Sequence, residues 1–268
     1  MERLSNLFFE LSHEDRLEIL SMLMDNPTKL THIASKMDNS SQEAYRHLSR
    51  LVDSGLVTKI PEGDYMITSY GSQIMRLLPG YDFLTKNYEY FMNRDTSLIP
   101  NRFIARLGEL SKAVLVNDVM VTILDVEVML KEAEEYACLM SNQMIMSLYK
   151  PIIEASDRGV KFRAMRPRGW RLADEVVEKI GRQTFQKIQE YIIKGKIIQK
   201  EPEAIPVFMA YSEKQVAALS FTNLSGELDY LGFKTDDEEA CNWCHELFDF
   251  FWERAYPGEI RTIIAGIG

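Results

Sequence analysis

The stretch Leu30–Thr68, LTHIASKMDNSSQEAYRHLSRLVDSGLVTKIPEGDYMIT, decides the N-terminal fold. Ser40 followed by Glu43 is a capping box: serine oxygen and glutamate each satisfy a backbone donor that the first helical turn leaves free. From there Ala44, Leu48, Leu51 and Val52 recur at i, i+4, i+7 and i+8, which gathers them on one helix face. Gln42, Tyr45, Arg46, Ser49 and Arg50 fall on the other face, and Gly55 closes the helix as a C-cap.

A shorter helix precedes it, from about Thr31 to Met37, with Leu30, Ile33, Ala34 and Met37 turned inward. Asp38-Asn39 supply the turn between the two. After Gly55, LVTKI and DYMIT flank Pro61-Glu62-Gly63-Asp64, a turn between two short β-prone runs. Helix, turn, helix and hairpin in this order predict a winged helix-turn-helix, an α+β domain. Its second helix has the two sides a recognition helix needs. One is apolar and docks on its own domain; the other carries donors that read base edges or grip phosphates. The expected DNA-facing residues are Gln42, Tyr45, Arg46, Ser49 and Arg50. Ser40 and Ser41 are expected near phosphate, and Lys59 on the flank of the wing.

RHLSRLVDSGLV, followed by a hairpin ending in ITSYG, resembles the ArsR-type and related archaeal winged-helix transcription regulators. In those families an arginine-rich helix runs into L-x-x-x-G-L-V, and a Thr-x-x-G step starts the next helix. The match covers about the first 80 residues and implies sequence-specific binding to double-stranded DNA. Small winged-helix domains also mediate protein contacts, so an interaction adaptor is the alternative.

At 268 residues the chain favours two domains, each long enough to bury a core. No basic, apolar leader and no membrane-length apolar run is present in the sequence. Cys138, Cys241 and Cys244 make no plausible disulfide framework, and a reducing cytoplasm is expected. The net charge of -9 argues against a non-specific nucleic-acid coat. Residues 1–80 hold 8 Lys+Arg against 11 Asp+Glu, so the DNA-binding candidate is itself mildly acidic. Binding then has to come from a local face (Arg46, Arg50, Lys59) doubled in a homodimer, with modest affinity and a shallow salt slope.

Leu4 to Met24 predicts one or two helices, with Leu17, Leu20 and Met24 on one side, closed by Asn26-Pro27. Ser12-His13-Glu14-Asp15 reads as a helix start, and His13 as a helix-terminus residue rather than a metal ligand. The domains expected are 1–80, the winged helix, and 111–268, an effector or sensor domain. Between them, 81–110 is expected to hold linker or dimerisation helices, including a run from Tyr81 to about Arg94. A helix packed within its own chain is the alternative for that run.

Beyond Phe103 helix-like and strand-like stretches alternate. Strands are expected at Ala113–Val116, Tyr136–Met140, VKFRAM after Gly159, IPVFMAY, VAALSF and LDYLGF. Helices are expected at Val121–Glu134, Met144–Arg158, Leu172–Gly195 and Asp236–Ala255. This predicts an α/β domain with a mixed sheet. The run from "P-V-F…V-A-A-L-S-F" through "G-E-L-D-Y-L-G-F" to "E-A-C-N-W-C-H-E-L-F-D-F-F" resembles the effector domain of TrmB-like regulators and of the methanogenesis-regulator family. That resemblance spans roughly residues 110–255. It implies a phospholipase D-like fold serving as a sensing or dimerising module.

A phospholipase D-type site needs a nucleophilic histidine with a lysine two residues on. None of the four histidines has that step, so a phosphodiesterase-like enzyme is the less favoured reading and no catalytic residue is assigned. Cys241-Asn242-Trp243-Cys244-His245 spells the haem-attachment string C-x-x-C-H, but it sits within a helical run and reads as core packing. No second Cys or His pair stands at zinc spacing, so neither cofactor nor metal is expected. Lys161, Arg163, Arg166, Arg168 and Arg171 form the remaining concentration of charge. They are either a site for an anionic small-molecule effector or DNA, or a solvated basic edge. Thr262–Gly268 is a short apolar tail, an edge strand or dimer contact.

Overall fold

The computed structural model describes residues 1–143, 145–169, 178–179 and 181–258. The chain divides into two compact units, Met1–Tyr81 and Asp82–Gly268. Among the described residues no helix is long and apolar enough to cross a membrane.

The first unit begins with α1 (Glu2–Leu11), α2 (Glu14–Asp25), α3 (Leu30–Lys36) and α4 (Ser41–Asp53). A hairpin of β1 (Val57–Lys59) and β2 (Tyr65–Ile67) follows, and then α5 (Ser69–Lys86) starts. Of the apolar positions expected, Leu20, Ile33, Ala34, Ala44, Leu48 and Leu51 are buried and Leu17, Leu30 and Met37 pack against them, while Ile19 and Leu23 fill the place expected of Met24, which is 38% exposed. Each large apolar side chain removed from water here contributes about 1.5–3 kcal/mol, which is what holds so small a domain together. Val52 departs from expectation. It is 37% exposed, and His47, at 4%, takes the place beside Leu48 instead. On a helix Val52 lies one step past the stripe set by Ala44, Leu48 and Leu51, whereas His47 lies within it.

The wing pairs Val57 with Ile67 and Lys59 with Tyr65. Gly63 turns the hairpin at φ +93°, a conformation that costs a side-chain-bearing residue strain. Tyr65 also exchanges backbone hydrogen bonds with Thr28, both 2.9 Å, which ties the α2–α3 connection to the wing. Thr68 donates its hydroxyl to the carbonyl of Gly55 and accepts from the amide of Gly71. A Cβ on Gly71 would come within 2.2 Å of the Leu56 carbonyl oxygen, so the Thr-x-x-Gly step is a close approach of α5 to the end of the recognition helix.

The second unit is built on an eight-stranded sheet. Its strands are β3 (Val114–Val116), β4 (Tyr136–Met140), β5 (Lys161–Met165), β6 (Ile197–Glu201), β7 (Val207–Ser212), β8 (Val216–Phe221), β9 (Gly232–Thr235) and β10 (Tyr256–Pro257). The spatial order is β10-β6-β5-β4-β7-β8-β9-β3. β4, β5 and β6 are parallel and every other pairing is antiparallel, so the sheet is mixed as expected. β7 and β8 are buried at all positions, which requires cover on both faces. The helices of this unit are α6 (Tyr88–Phe91), α7 (Asn101–Ile104), α8 (Val119–Glu132), α9 (Tyr149–Arg158), α10 (Arg182–Ile193) and α11 (Glu238–Arg254).

Several sequence expectations shift. Of residues 81–110, expected as linker or dimerisation helices with packing within the chain as the alternative, residues 82–110 belong to this unit. Phe83, Tyr90, Ile99, Phe103, Leu107 and Leu110 all belong to its core. Aromatic packing does this: Phe83 meets Phe233 at 5.0 Å between centroids, and the Tyr90 hydroxyl donates to the Leu231 carbonyl. β6 and β10 are strands that periodicity did not signal. LDYLGF becomes a strand only from Gly232, because Tyr230 adopts φ +61° and breaks the extended run. A Cβ at Gly232 would sit 2.1 Å from the Leu219 carbonyl oxygen of β8. The expected helix 144–158 is a 3-10 turn at Met146–Leu148 followed by α9. The expected helix 172–195 is helical over Arg182–Ile193, while its residues 172–177 and 180, together with Met144 and the tail 262–268, lie outside the described residues.

Candidate nucleic-acid interface

α4 starts on a complete capping box. The Ser40 hydroxyl oxygen accepts from the Glu43 amide, and the Glu43 carboxylate accepts from the Ser40 amide, both at 3.2 Å. The bonds from Ser40 hold the Glu43 carboxyl below its ordinary pKa, so it stays ionised at the positive end of the helix. Ser40 is therefore occupied as a cap. Beyond it, Ser41, Gln42, Tyr45 and Arg46 are exposed and Ser49 is half-buried. Among the described residues, none of these five makes a side-chain hydrogen bond or ion pair. Gln42, Tyr45, Arg46 and Ser49 stand at i, i+3, i+4 and i+7, and so share one helix face. Lys59 is exposed on β1, its ammonium 5.6 Å from the Tyr65 ring centroid.

Arg50 is placed differently from its neighbours. Its guanidinium gives two hydrogen bonds to the Glu10 carboxylate, at 2.7 and 3.0 Å, and lies 5.0 Å over the Phe9 ring. The bond from Arg50 lowers the Glu10 pKa, with help from the charge of Arg16. Arg16 is buried and donates to the Glu10 and Phe9 carbonyls, both at 2.7 Å, closing the C-terminal end of α1. Arg50 thus belongs to a clamp that joins α1, α2 and α4. With 42% of its side chain accessible, it keeps one edge open to solvent.

The same unit holds a cluster that sequence spacing did not reveal. His47 Nε2 lies 3.2 Å from Asp15 Oδ2, and His13 Nδ1 lies 4.0 Å from the same oxygen. The Asn39 side-chain amide also donates to it at 3.3 Å. These residues come from the start of α2, the α3–α4 turn and the middle of α4, and only tertiary packing joins them. The one readable signal was a histidine on an otherwise apolar helix stripe.

In the second unit the five basic residues separate. Lys161 and Arg163 project from one side of β5 into a cleft of about 290 Å³ lined also by Tyr136, Cys138, Tyr211, His245 and Asp249. Arg163 reaches Asp249 at 3.6 Å and lies 5.5 Å from the Trp252 ring centroid. Burial pushes the Cys138 thiol up to about 12 and lowers the pKa of His245, so at neutral pH the cleft contains a thiol and an uncharged imidazole. Arg166 lines a different, apolar cavity with Leu139, Tyr149 and Phe162, where burial lowers its pKa. Arg168 is exposed and stacks over Tyr256 at 4.6 Å. Arg171 lies outside the described residues. The C-x-x-C-H string is helical: Cys244 is fully buried, Cys241 is half-buried, and His245 packs 4.4 Å from the Tyr211 ring.

Residues 11–60 match a protein family described as a helix-turn-helix domain. No curated protein matches the chain. Among solved structures, TrmBL2, described as an archaeal chromatin protein with a novel mode of DNA binding, is similar at 17% identity and a TM-score of 0.42. That similarity covers 89% of this chain and 92% of TrmBL2. Nuc, a phospholipase D family member from Salmonella typhimurium, is similar at 13% identity and a TM-score of 0.37, covering 55% of this chain and 97% of Nuc. NucT from Helicobacter pylori is similar at 14% identity and the same TM-score, covering 55% and 98%.

Proposed function

We propose that the chain is a DNA-binding transcription regulator rather than an enzyme, with α4 entering the major groove. One observation carries this reading. Gln42, Tyr45 and Arg46 form an exposed polar face without hydrogen-bond or ion-pair partners among the described residues, on a helix whose opposite face is anchored in the core. Gln and Arg are side chains that read adenine and guanine edges in pairs of hydrogen bonds. Ser41 and Lys59 stand where phosphates would pass. Arg50 acts mainly by fixing the helix against α1, with its open edge left for the backbone of the duplex.

In this reading the protein works as a homodimer in the cytoplasm. Two α4 helices reach successive major grooves roughly 34 Å apart on a pseudo-palindromic site. The cleft at Lys161 and Arg163 takes a small anionic effector, and its occupation shifts DNA affinity. The test is selection of binding sites from a random duplex library by the whole protein. An enriched palindromic sequence, lost when Gln42 and Arg46 are both replaced by Ala, is the expected result. No enrichment, or enrichment unaffected by the double replacement, removes the reading. The acidic balance of residues 1–80 favours a second one, in which the same face binds a protein. Capture of a protein partner that depends on Gln42 and Arg46, without sequence enrichment, would support it.

A further inference from the structure

Three side chains that DNA reading leaves unused converge in the first unit. His13 occupies the N-cap position of α2 without a side-chain capping bond, Asp15 stands in its first turn, and His47 lies in the middle of α4. One ligand atom from each falls within 4.8 Å of the others. The two imidazole rings lie against one another, 4.5 Å between centroids, and each turns a nitrogen toward the same Asp15 oxygen.

Two imidazoles and a carboxylate suit a first-row divalent ion of the zinc type, whose nitrogen and oxygen ligands stand about 2.0–2.2 Å away. Ligand atoms on one such ion are therefore about 3–4 Å apart. The observed 3.2 and 4.0 Å separations from the Asp15 oxygen already lie in that range. His47 and Asp15 are held in place, His47 by burial and Asp15 by the Asn39 amide. His13, with 44% of its side chain accessible, is able to close the third side and leaves the ion open to solvent for water ligands. The nearest buried cation, Arg16, is neutralised by Glu10 at 3.2 Å. The Nδ1 atom of His47 has no hydrogen-bond partner among the described residues. No acceptor therefore fixes its tautomer, and the missing outer-shell bond weakens an ion by about 10–100-fold.

We propose that His13, Asp15 and His47 form a site for one divalent transition-metal ion of the zinc class, with micromolar rather than tighter affinity. The ion ties the start of α2 to the recognition helix one residue from Arg46. This holds whether or not that helix reads DNA, and the test uses no nucleic acid.

The metal-free full-length protein is titrated with Co²⁺ and followed by visible absorption and calorimetry. One equivalent is expected to bind, with weak ligand-field bands and no sulfur-to-cobalt charge-transfer band. His13→Ala and Asp15→Asn are each expected to weaken binding by at least about tenfold, and His13→Ala to leave the thermal unfolding midpoint of the metal-free protein in place. His13 is exposed, so its replacement keeps the test independent of folding. Absence of saturable binding overturns the proposal. So does binding unchanged in both variants, or a thiolate band placing the ion on Cys138, Cys241 or Cys244.

Discussion

α4 and α11 are both amphipathic helices, and they treat their outward charges in opposite ways. α11 buries Ala240, Trp243, Cys244, Leu247 and Phe248. Around it Asp237 pairs with Lys112, Glu246 with Arg106, and Asp249 with Arg163. Three of the carboxylates along it are thus engaged by its own chain. α4 buries a similar stripe with His47 beside Asp15, and among the described residues its outward side chains with partners are Glu43, in the cap, and Arg50, in the clamp. Gln42, Tyr45 and Arg46 between them have none among the described residues. A helix that is finished within its own fold spends its charges locally. A helix kept for a partner leaves donors in water, where they remain available.

That contrast can be broken at either helix. The largest expected effect is at Trp243, which is fully buried and donates from its indole to the Phe103 carbonyl at 3.1 Å. Trp243→Ala is expected to cost the second unit about 3–5 kcal/mol in denaturant unfolding. A loss well below that would mean that α11 is not central to the core. Next comes Arg46→Ala, expected to reduce affinity for the selected DNA site by about tenfold or more with no change in the unfolding midpoint. Arg50→Ala sharpens the comparison. It leaves the Glu10 carboxylate, only 12% accessible, without its closest partner, so stability and DNA affinity are expected to fall together. Equal behaviour of the two arginine variants would erase the distinction drawn between them.

Ser40→Ala is expected to cost the first unit about 1 kcal/mol, measured by the same unfolding curves, because Glu43 loses its reciprocal partner. The smallest effect is in acid. Arg50 and Arg16 hold the Glu10 pKa below its ordinary value of 4.5. A carboxylate whose native pKa is depressed stabilises the fold above its unfolded pKa, and that contribution is lost as pH falls through the native value. Stability of the first unit is therefore expected to decline below about pH 4.5. Glu10→Gln should flatten that part of the profile while lowering stability at neutral pH.

How far the molecule was legible differs between its two halves for a physical reason. The winged helix announced itself through signals within a few residues. Ser40 and Glu43 lie three apart, Ala44, Leu48 and Leu51 follow one helical stripe, and Gly63 and Gly71 stand where backbone geometry admits little else. Such signals act through the local backbone and survive in the bare sequence. Val52 was misplaced only because it adjoins that stripe. In the second half the strands of β7 and β8 were readable from composition, yet β6 was not, since IIQKE carries no clean alternation. Its place beside β5 depends on what the rest of the sheet leaves to be covered.

The sequence by itself determined the two-part organisation, the wing, the capped helix α4 and which of its side chains face away from the core. Tertiary structure decided which charges remain open. Arg50 meets Glu10 across 40 residues. Lys161 and Arg163 part from Arg166 because strand alternation and the packed layers send them to separate cavities. His13 and Asp15 meet His47 because α2 packs on α4. Hydrogen bonds of helices and turns are set within a few residues, but the pairing of a charge depends on which distant surface packing brings to it.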